Sequence, residues 1–556
     1  MQGSHRDQGQ GMSRVNSVTA AVAAAVNAVF LTGILLGAAA PAVSATSSEL
    51  TLPELQKALA SHPDAKWRAA DNGAAAQIGS PVLTESGLRT GINFGLRDYQ
   101  GPRRKTQIER ARVDEPTPGL PRKWDWRNAT VGTVTGDFMS PVRNQGKCGS
   151  CVAFATAGSY EGTLAVASGT PRLDVNVSEQ DLFANIGSCD YGSWPSSGMS
   201  QVTQEGVPDE ACSPYKSGRL GKDGEATDAC KDRATRLLRA TDDSSYSSPA
   251  AIKQALMTGP LQTTMSVYED FMFYAGGVYK HVTGPQMGGH AITLVGYDDD
   301  AKYWIGKNSW GPSWGEAGYF RISYDDESGF ADDGYGFTVT GSEVAMRLDT
   351  PSYFSAIKGT VPLEVSVFDE SVESIKWELA SADQQWLQGR VYRGELKATR
   401  TKRSGARIFR GTIDTLPLAD GVHGLALEAV AKGTVKGNKV YTRVVIINHP
   451  ADQSGDQMIS LTPDFDNAAP VKSRVYFKFS ADELAAVQKA PLTHADLVIA
   501  GPTPTRVRFD DPGTESMFGW RTQMYSNGVY KVHVEGFVGD HQMFKSNELE
   551  VKVQNK

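Results

Sequence analysis

Every cysteine of this 556-residue chain lies between positions 148 and 230. That distribution divides the chain before any motif is read: a middle part that disulfides can brace, and a long C-terminal part that they cannot. At this length three or four folded units are expected. The cysteines are Cys148, Cys151, Cys189, Cys212 and Cys230. An odd number leaves a thiol over if the rest pair, and pairing needs an oxidising compartment. The N-terminus offers a route to one. Val18 to Ala40 is an Ala-rich apolar run broken by Asn27, with Arg14 before it and Val43-Ser44-Ala45 after it. This is the layout of a secretory signal, so residues 1–45 read as a signal peptide and the protein as secreted, with cell-surface association as a variant. An uncleaved membrane anchor is the alternative, because the run is long enough to span.

The net charge of −7 speaks against a nucleic-acid partner, which needs a basic face. Cys148 and Cys151 frame K-C-G-S-C-V-A-F, Lys147 to Phe154. Phe154, Ala157, Glu161 and Leu164 follow at helical spacing and Gly169 is a stop, which predicts a helix from Cys151 to Ser168. Two cysteines so placed could be half a zinc site, a redox dithiol, or a nucleophile beside a brace. Zinc lacks ligands: between Pro121 and Glu343 there are only His281 and His290, and no second C-x-x-C. A dithiol needs a β-α-β context and strands the other three cysteines. No metal and no cofactor are therefore expected. A thiolate nucleophile at a helix N-terminus remains, favoured there by the helix dipole.

Three segments carry that reading further: P-V-R-N-Q-G-K-C-G-S-C-V-A-F-A (Pro141 to Ala155), G-G-H-A-I-T-L-V-G-Y (Gly288 to Tyr297) and K-N-S-W-G-P-S-W-G (Lys307 to Gly315). In this order and at this distance they resemble the cysteine, histidine and asparagine segments of the papain-family cysteine proteases. The resemblance covers about Leu120 to Glu343. It implies an α+β, papain-like two-lobed protease, a helical lobe against a β-barrel-like lobe. It also implies a catalytic set: Cys151 as nucleophile, His290 as its charged partner and proton donor, and Asn308 orienting the imidazole. Trp310 would cover the Asn–His contact, and Gln145 with the Cys151 N–H would stabilise the oxyanion. Cys148 resembles the family's brace cysteine, with Cys189 as its partner, which leaves Cys212 and Cys230 to close a second loop.

By the same resemblance, substrate contacts Gly149 and Gly192, and the pocket that dominates selection is walled by Trp194, Thr264, Gly288 and Ala291. Gly288 lacks a side chain and none of the four is acidic, so a large apolar residue is expected there, the floor coming from a segment after Tyr324. Two positions depart from the family: Val152 stands for an aromatic, and Tyr191 for the first glycine of a substrate-clamping pair.

Residues 46–119 read as an inhibitory prosegment. Leu52, Leu55 and Leu59 are spaced for one helical face, and K-W-R-A-A-D-N (Lys66 to Asn72) is similar to short propeptides of cathepsin B-like enzymes. Arg103-Arg104-Lys105 offers a processing point, or simply a solvated linker. The protease spans 120–344. Beyond it, short alternating strands recur, such as Val361 to Phe368 and Ser473 to Phe479. Thr415 to Val430 aligns with Thr522 to Phe537, placing Gly421 and Gly528 at 528 − 421 = 107 positions apart. That is an immunoglobulin-like length, so two all-β Ig-like sandwiches are expected over 345–450 and 456–556, with Asn448 to Gln457 as hinge. Asp420-Gly421 and Asn527-Gly528 read as tight hairpin turns. The acidic stretches Asp298 to Asp300 and Asp325 to Gly334 do not match a calcium loop and read as solvated.

The leading function is a secreted cysteine endopeptidase made as a zymogen, acting on protein or peptide substrates, with its own prosegment as inhibitor. The sandwiches would be spacers or docking arms for a cell-surface, carbohydrate or protein ligand. A transpeptidase or ligase shares the acyl-enzyme and is the second reading. An adhesin with a vestigial protease is the third, disfavoured by Gln145, Cys151, His290 and Asn308 standing together.

Overall fold

Thr51 caps the first described element. Its backbone N–H donates to Glu54 Oε2 at 3.0 Å while its own Oγ1 accepts from the Glu54 N–H, a capping box in front of the helix Leu52–Ala60. Leu55 is buried and Leu52 and Leu59 pack beside it, the face the spacing predicts. The chain then adds the strand Lys66–Ala69 antiparallel to Tyr274–Tyr279, with Trp67 opposite Gly277. The computed structural model describes residues 50–70, 80–83, 89–97, 99, 101, 116–223, 229–341, 346–352, 355–381, 391–403, 406–448, 460–463, 465–466, 468–472, 474–480, 492, 494–510, 515–522, 525–538 and 541–555. The signal-peptide reading, Arg103 to Lys105 and most of the hinge lie outside them.

That strand is the edge of a nine-stranded sheet. Its order runs Lys66–Ala69, Tyr274–Tyr279, Tyr319–Ser323, Tyr303–Lys307, Gln286–Asp298, Leu261–Tyr268, Gly334–Thr338 and Asp242–Tyr246, with Lys123–Asp125 also paired to Gln286–Asp298. Against it lies the helix Cys151–Ala167, buried from Cys151 to Ala165. It has no solvent face, so the spacing that located it marks no amphipathic stripe. A Cβ on Gly158 would come within 2.6 Å of Thr293 Oγ1, so the absence of a side chain lets helix and sheet approach. The helix closes at Ser168, followed by Gly169 with φ +59°. Lys253, on the helix Pro249–Leu256, is buried against Asp299 at 2.6 Å, and Tyr324 donates to the same carboxylate oxygen at 2.7 Å. Disulfides join Cys148 to Cys189 and Cys212 to Cys230.

Among the described residues of the C-terminal region, the regular elements are all strands. Eight strands form one hydrogen-bonded path: Met346–Thr350, Thr360–Val367, Ala406–Asp414, Tyr392–Arg403, Ser374–Ser381, Gly421–Ala431, Thr434–Ile446 and Ser355–Ile357. Leu363, Ile375, Leu396, Phe409, Leu425 and Val444 share one core, so this sheet curls around it. Farther on there are two sheets. One has Ser460–Pro463, Arg474–Ser480 and Glu515–Arg521; the other has Thr505–Asp510, His494–Ala500, Gly528–Val538, His541–Lys545 and Leu549–Val553.

Gly421 and Gly528 each begin an 11-residue strand. The hairpin expectation fails at both. Gly421–Ala431 pairs with Ser374–Ser381 and Thr434–Ile446, not with the strand before it. Gly528–Val538 likewise lies in a different sheet from Glu515–Arg521. The two-residue signature sits at the end of a crossover, and an asparagine pins each one. Asn448 Nδ2 donates to the carbonyls of Thr415 (2.5 Å) and Leu418 (3.2 Å), and its N–H to Asp420 Oδ1 (2.8 Å). Asn555 does the same to Thr522 (2.9 Å), Tyr525 (2.8 Å) and Asn527 (2.7 Å). All four pairs keep the 107-residue offset, so Asn448 belongs to the first repeat rather than to a hinge.

Candidate active site

Cys151 is the first residue of its helix and is the free cysteine among the described residues. The N-cap, Ser150, caps nothing with its side chain, which meets Tyr215 Oη at 2.6 Å instead. His290 lies on the central strand Gln286–Asp298, and Asn308 directly follows Tyr303–Lys307, the strand paired beside it. Sheet pairing thus brings the two together: His290 Nε2 is 2.9 Å from Asn308 Oδ1. Trp310 stacks on the imidazole at 5.0 Å between centroids. Gln145 is oriented by Ser309, whose Oγ donates to its Oε1 at 2.7 Å. The structure therefore brings Cys151, His290, Asn308, Gln145 and Trp310 to one place.

That place is occupied. Phe94 O accepts from Gln145 Nε2 at 2.7 Å and from the Cys151 N–H at 3.1 Å. Gly95 O accepts from the Ser193 N–H at 2.8 Å, and the Arg97 N–H donates to Ser193 O at 2.9 Å. The backbones touch: a Cβ on Gly95 would sit 2.5 Å from the Gly149 carbonyl, and one on Gly192, at φ +68°, 2.4 Å from Gly95 O. Leu96 shares an apolar cluster with Cys151, Val152, Ala155 and Ala291, with Ile186 and Tyr99 against it. Tyr99 lies on Gly289 and its hydroxyl meets Ser266 Oγ at 3.2 Å.

Burial governs the electrostatics. It pushes the Cys151 thiol up to about 12, against the pull of the Ala291 N–H 3.2 Å from Sγ. It pushes His290 down to about 4, against the hydrogen bond it donates to Asn308 Oδ1. Thiol and neutral imidazole are thus the forms held here. Behind Asn308, burial also lowers Lys307 to about 8 and raises Glu179 to about 7.

Of the expected pocket walls, Ala291 meets Leu96 and Trp194 stands at the rim, 42% exposed. Gly288 pairs with Val267. Thr264 is engaged from behind by Asp333, whose carboxylate accepts its N–H at 3.0 Å and its hydroxyl at 2.9 Å. Sequence reasoning missed Asp333, which is far along the chain, and the run Phe94 to Tyr99, which has no periodicity to mark it. Val152, read as a departure, is a wall of the Leu96 cluster. The acidic stretches are not the solvated loops expected: Asp298 and Asp299 are buried, Asp298 accepting from the Asp300 and Ala301 N–H groups and Asp299 facing Lys253, while Asp325 pairs with Lys280 at 2.6 Å. A grouping of metal-ligand type, Cys148, Cys189 and Asp223, offers no thiolate, because its sulfurs are bonded to each other.

Residues 120–336 match the family model "Papain family cysteine protease". Cathepsin B-like CP3 of Giardia intestinalis is 42% identical over 194 residues, 33% of this chain and 63% of that protein. Cathepsin B-like CP1 of the same organism is 37% identical over 221 residues, 38% of this chain and 70% of that one. The chain thus spans less than two thirds of the length of the first of these relatives. A solved procathepsin B from Trypanosoma congolense aligns with a TM-score of 0.37 and 21% identity, over 52% of this chain and 96% of that one. Through residues 120–336, the chain belongs to the papain family of cysteine proteases.

Proposed function

We propose that this chain is the zymogen of a secreted cysteine endopeptidase, and that residues 46–119 are its inhibitory prosegment. The observation that carries this is the Phe94 carbonyl, held by Gln145 Nε2 and the Cys151 N–H. A peptide carbonyl already sits where a scissile carbonyl oxygen must lie to be stabilised as an oxyanion.

Once the segment leaves, water enters, the desolvation that keeps Cys151 and His290 neutral is relieved, and the thiol proton passes to the imidazole, leaving a thiolate that the helix N-terminus favours. The thiolate attacks the substrate carbonyl carbon, and the oxyanion takes the two donors released by Phe94. His290, fixed through Nε2 by Asn308, donates a proton to the leaving amine as the C–N bond breaks. Water, deprotonated by the imidazole, then hydrolyses the thioester to a carboxylic acid and regenerates Cys151. The two β regions, with matching crossovers pinned by Asn448 and Asn555, are read as Ig-like docking modules for a surface or carbohydrate ligand.

The matured full chain is expected to cleave a denatured protein, and Cys151→Ala to lose that activity by about three orders of magnitude or more while retaining its thermal transition. Near-normal turnover of the variant would sink the assignment. Products carrying an added amine would select the transpeptidase reading.

A further inference from the structure

Four large apolar side chains among the described residues are exposed, and two of them, Tyr191 (70%) and Trp194 (42%), share one loop at the mouth of the cleft. The loop is built rather than loose. Its Cys189 end is bonded to Cys148, the Tyr191 and Gly192 N–H groups donate to Ser188 O, and Ser193 Oγ donates to Ile186 O at 3.0 Å. Arg97 lies on this rim. The guanidinium of Arg97 is 4.4 Å from the Trp194 ring centroid and 6.0 Å from that of Tyr191, both within reach of a cation–π attraction. The chain bends at Gly95, φ +122°, and turns at Arg97, which separates the two side chains that follow the bend. Leu96 accordingly enters the apolar cluster beside Cys151 while Arg97, tied to Ser193 by its N–H, turns to the rim.

We propose that Tyr191 and Trp194 form a subsite for a basic side chain, filled by Arg97 while the cleft is closed and by an arginine or lysine of the substrate once it opens. The substrate role rests on the proposed peptidase function. Selection is then read at two adjacent positions, a large apolar residue in the pocket and a cation next to it.

Two measurements test this. The matured full chain is given peptides with Leu at the pocket position and Arg, Lys or Gln at each neighbouring position. At one neighbour Arg is expected to exceed Gln in kcat/KM by about fivefold to tenfold. That ratio should collapse toward one in Trp194→Ala, shrink in Tyr191→Gly and persist in Trp194→Phe. Hydrolysis with no preference for Arg, or with a preference the variants leave unchanged, overturns the proposal. The second measurement needs no turnover: amide exchange at position 97 in the unprocessed full chain carrying Cys151→Ala. Arg97→Gln and Trp194→Ala should each speed exchange, the double variant no more than either, and Arg97→Lys should restore protection. Additive effects overturn the rim even if the chain is a peptidase. If no peptide is hydrolysed, the peptidase reading fails and non-additive exchange still supports the cation site.

Discussion

At Trp67 the N-terminal segment meets the protease by adding a strand to its sheet; at Phe94 it enters the cleft, where a buried ring is joined by backbone hydrogen bonds. Trp67 is buried, its ring 5.1 Å from that of Tyr279 and its Nε1 donating to Lys280 O at 2.9 Å, on a strand that extends the sheet. The run Phe94 to Arg97 also buries side chains, Phe94 with its ring 5.5 Å from those of His290 and Trp310 and Leu96 beside Cys151, but it adds polar bonds to Gln145, Cys151 and Ser193 and brings glycine backbone onto glycine backbone. Hydrogen bonds exchange with water at small net gain, whereas a buried indole loses several kcal/mol when truncated. Both places bury large side chains, and what only the cleft run adds is a carbonyl on the Gln145 and Cys151 donors.

Trp67→Ala should have the largest effect, about 3–5 kcal/mol of docking energy. Both contacts should loosen together, read as faster exchange of the Ala70 amide, bonded to Phe273 O, and of the Arg97 amide, bonded to Ser193 O. Loss at the edge alone would mean that the cleft run binds by itself. Gly95→Ala should break the comparison the other way. Its Cβ meets the Gly149 backbone and its φ of +122° disfavours a side chain, together costing about 2–3 kcal/mol. Protection at Arg97 should fall while that at Ala70 stays, and the uncleaved chain should gain peptidase activity.

Acidity should act on the cleft alone. The closed state depresses His290 from its ordinary 6.5 to about 4, so its contribution is complete above pH 6.5 and is lost as pH falls toward 4. At pH 5 the closed cleft should be weakened about thirtyfold relative to pH 7.5 through His290. Titrating Arg97 exchange against pH checks this; a flat profile between pH 7 and 5 would show that His290 does not feel the closure. Thr51→Ala should be smallest, about 1 kcal/mol, confined to the helix Leu52–Ala60 and visible in its amide exchange.

Much of the site was legible because its chemistry is local in sequence. Cys151, His290 and Asn308 each sit in a compact motif, and adjacent strands bring the last two together. The helix beginning at Cys151 was located to within a residue, though by a face that its complete burial does not have. What escaped depends on distant partners. Nothing in N-F-G-L-R, Asn93 to Arg97, announces that its carbonyl will meet Gln145, more than forty positions on. Asp333 became part of the pocket only through its bonds to Thr264. Asp420-Gly421 carries the signature of a hairpin, and only the pairing of Gly421–Ala431 with Ser374–Ser381 reveals a crossover.

The burial of Cys151 bears on survival as well as on silence. In an oxidising compartment, peroxide and mixed disulfides react with thiolate, not with thiol. Cys151 stands three residues from a disulfide, yet it is fully covered and its thiol is pushed up to about 12. On the proposed zymogen reading, the closed cleft would preserve the Cys151 thiol in the reduced state until it is opened. Exposure would then begin activity and oxidative ageing together, giving the opened site a working lifetime that the closed one does not have.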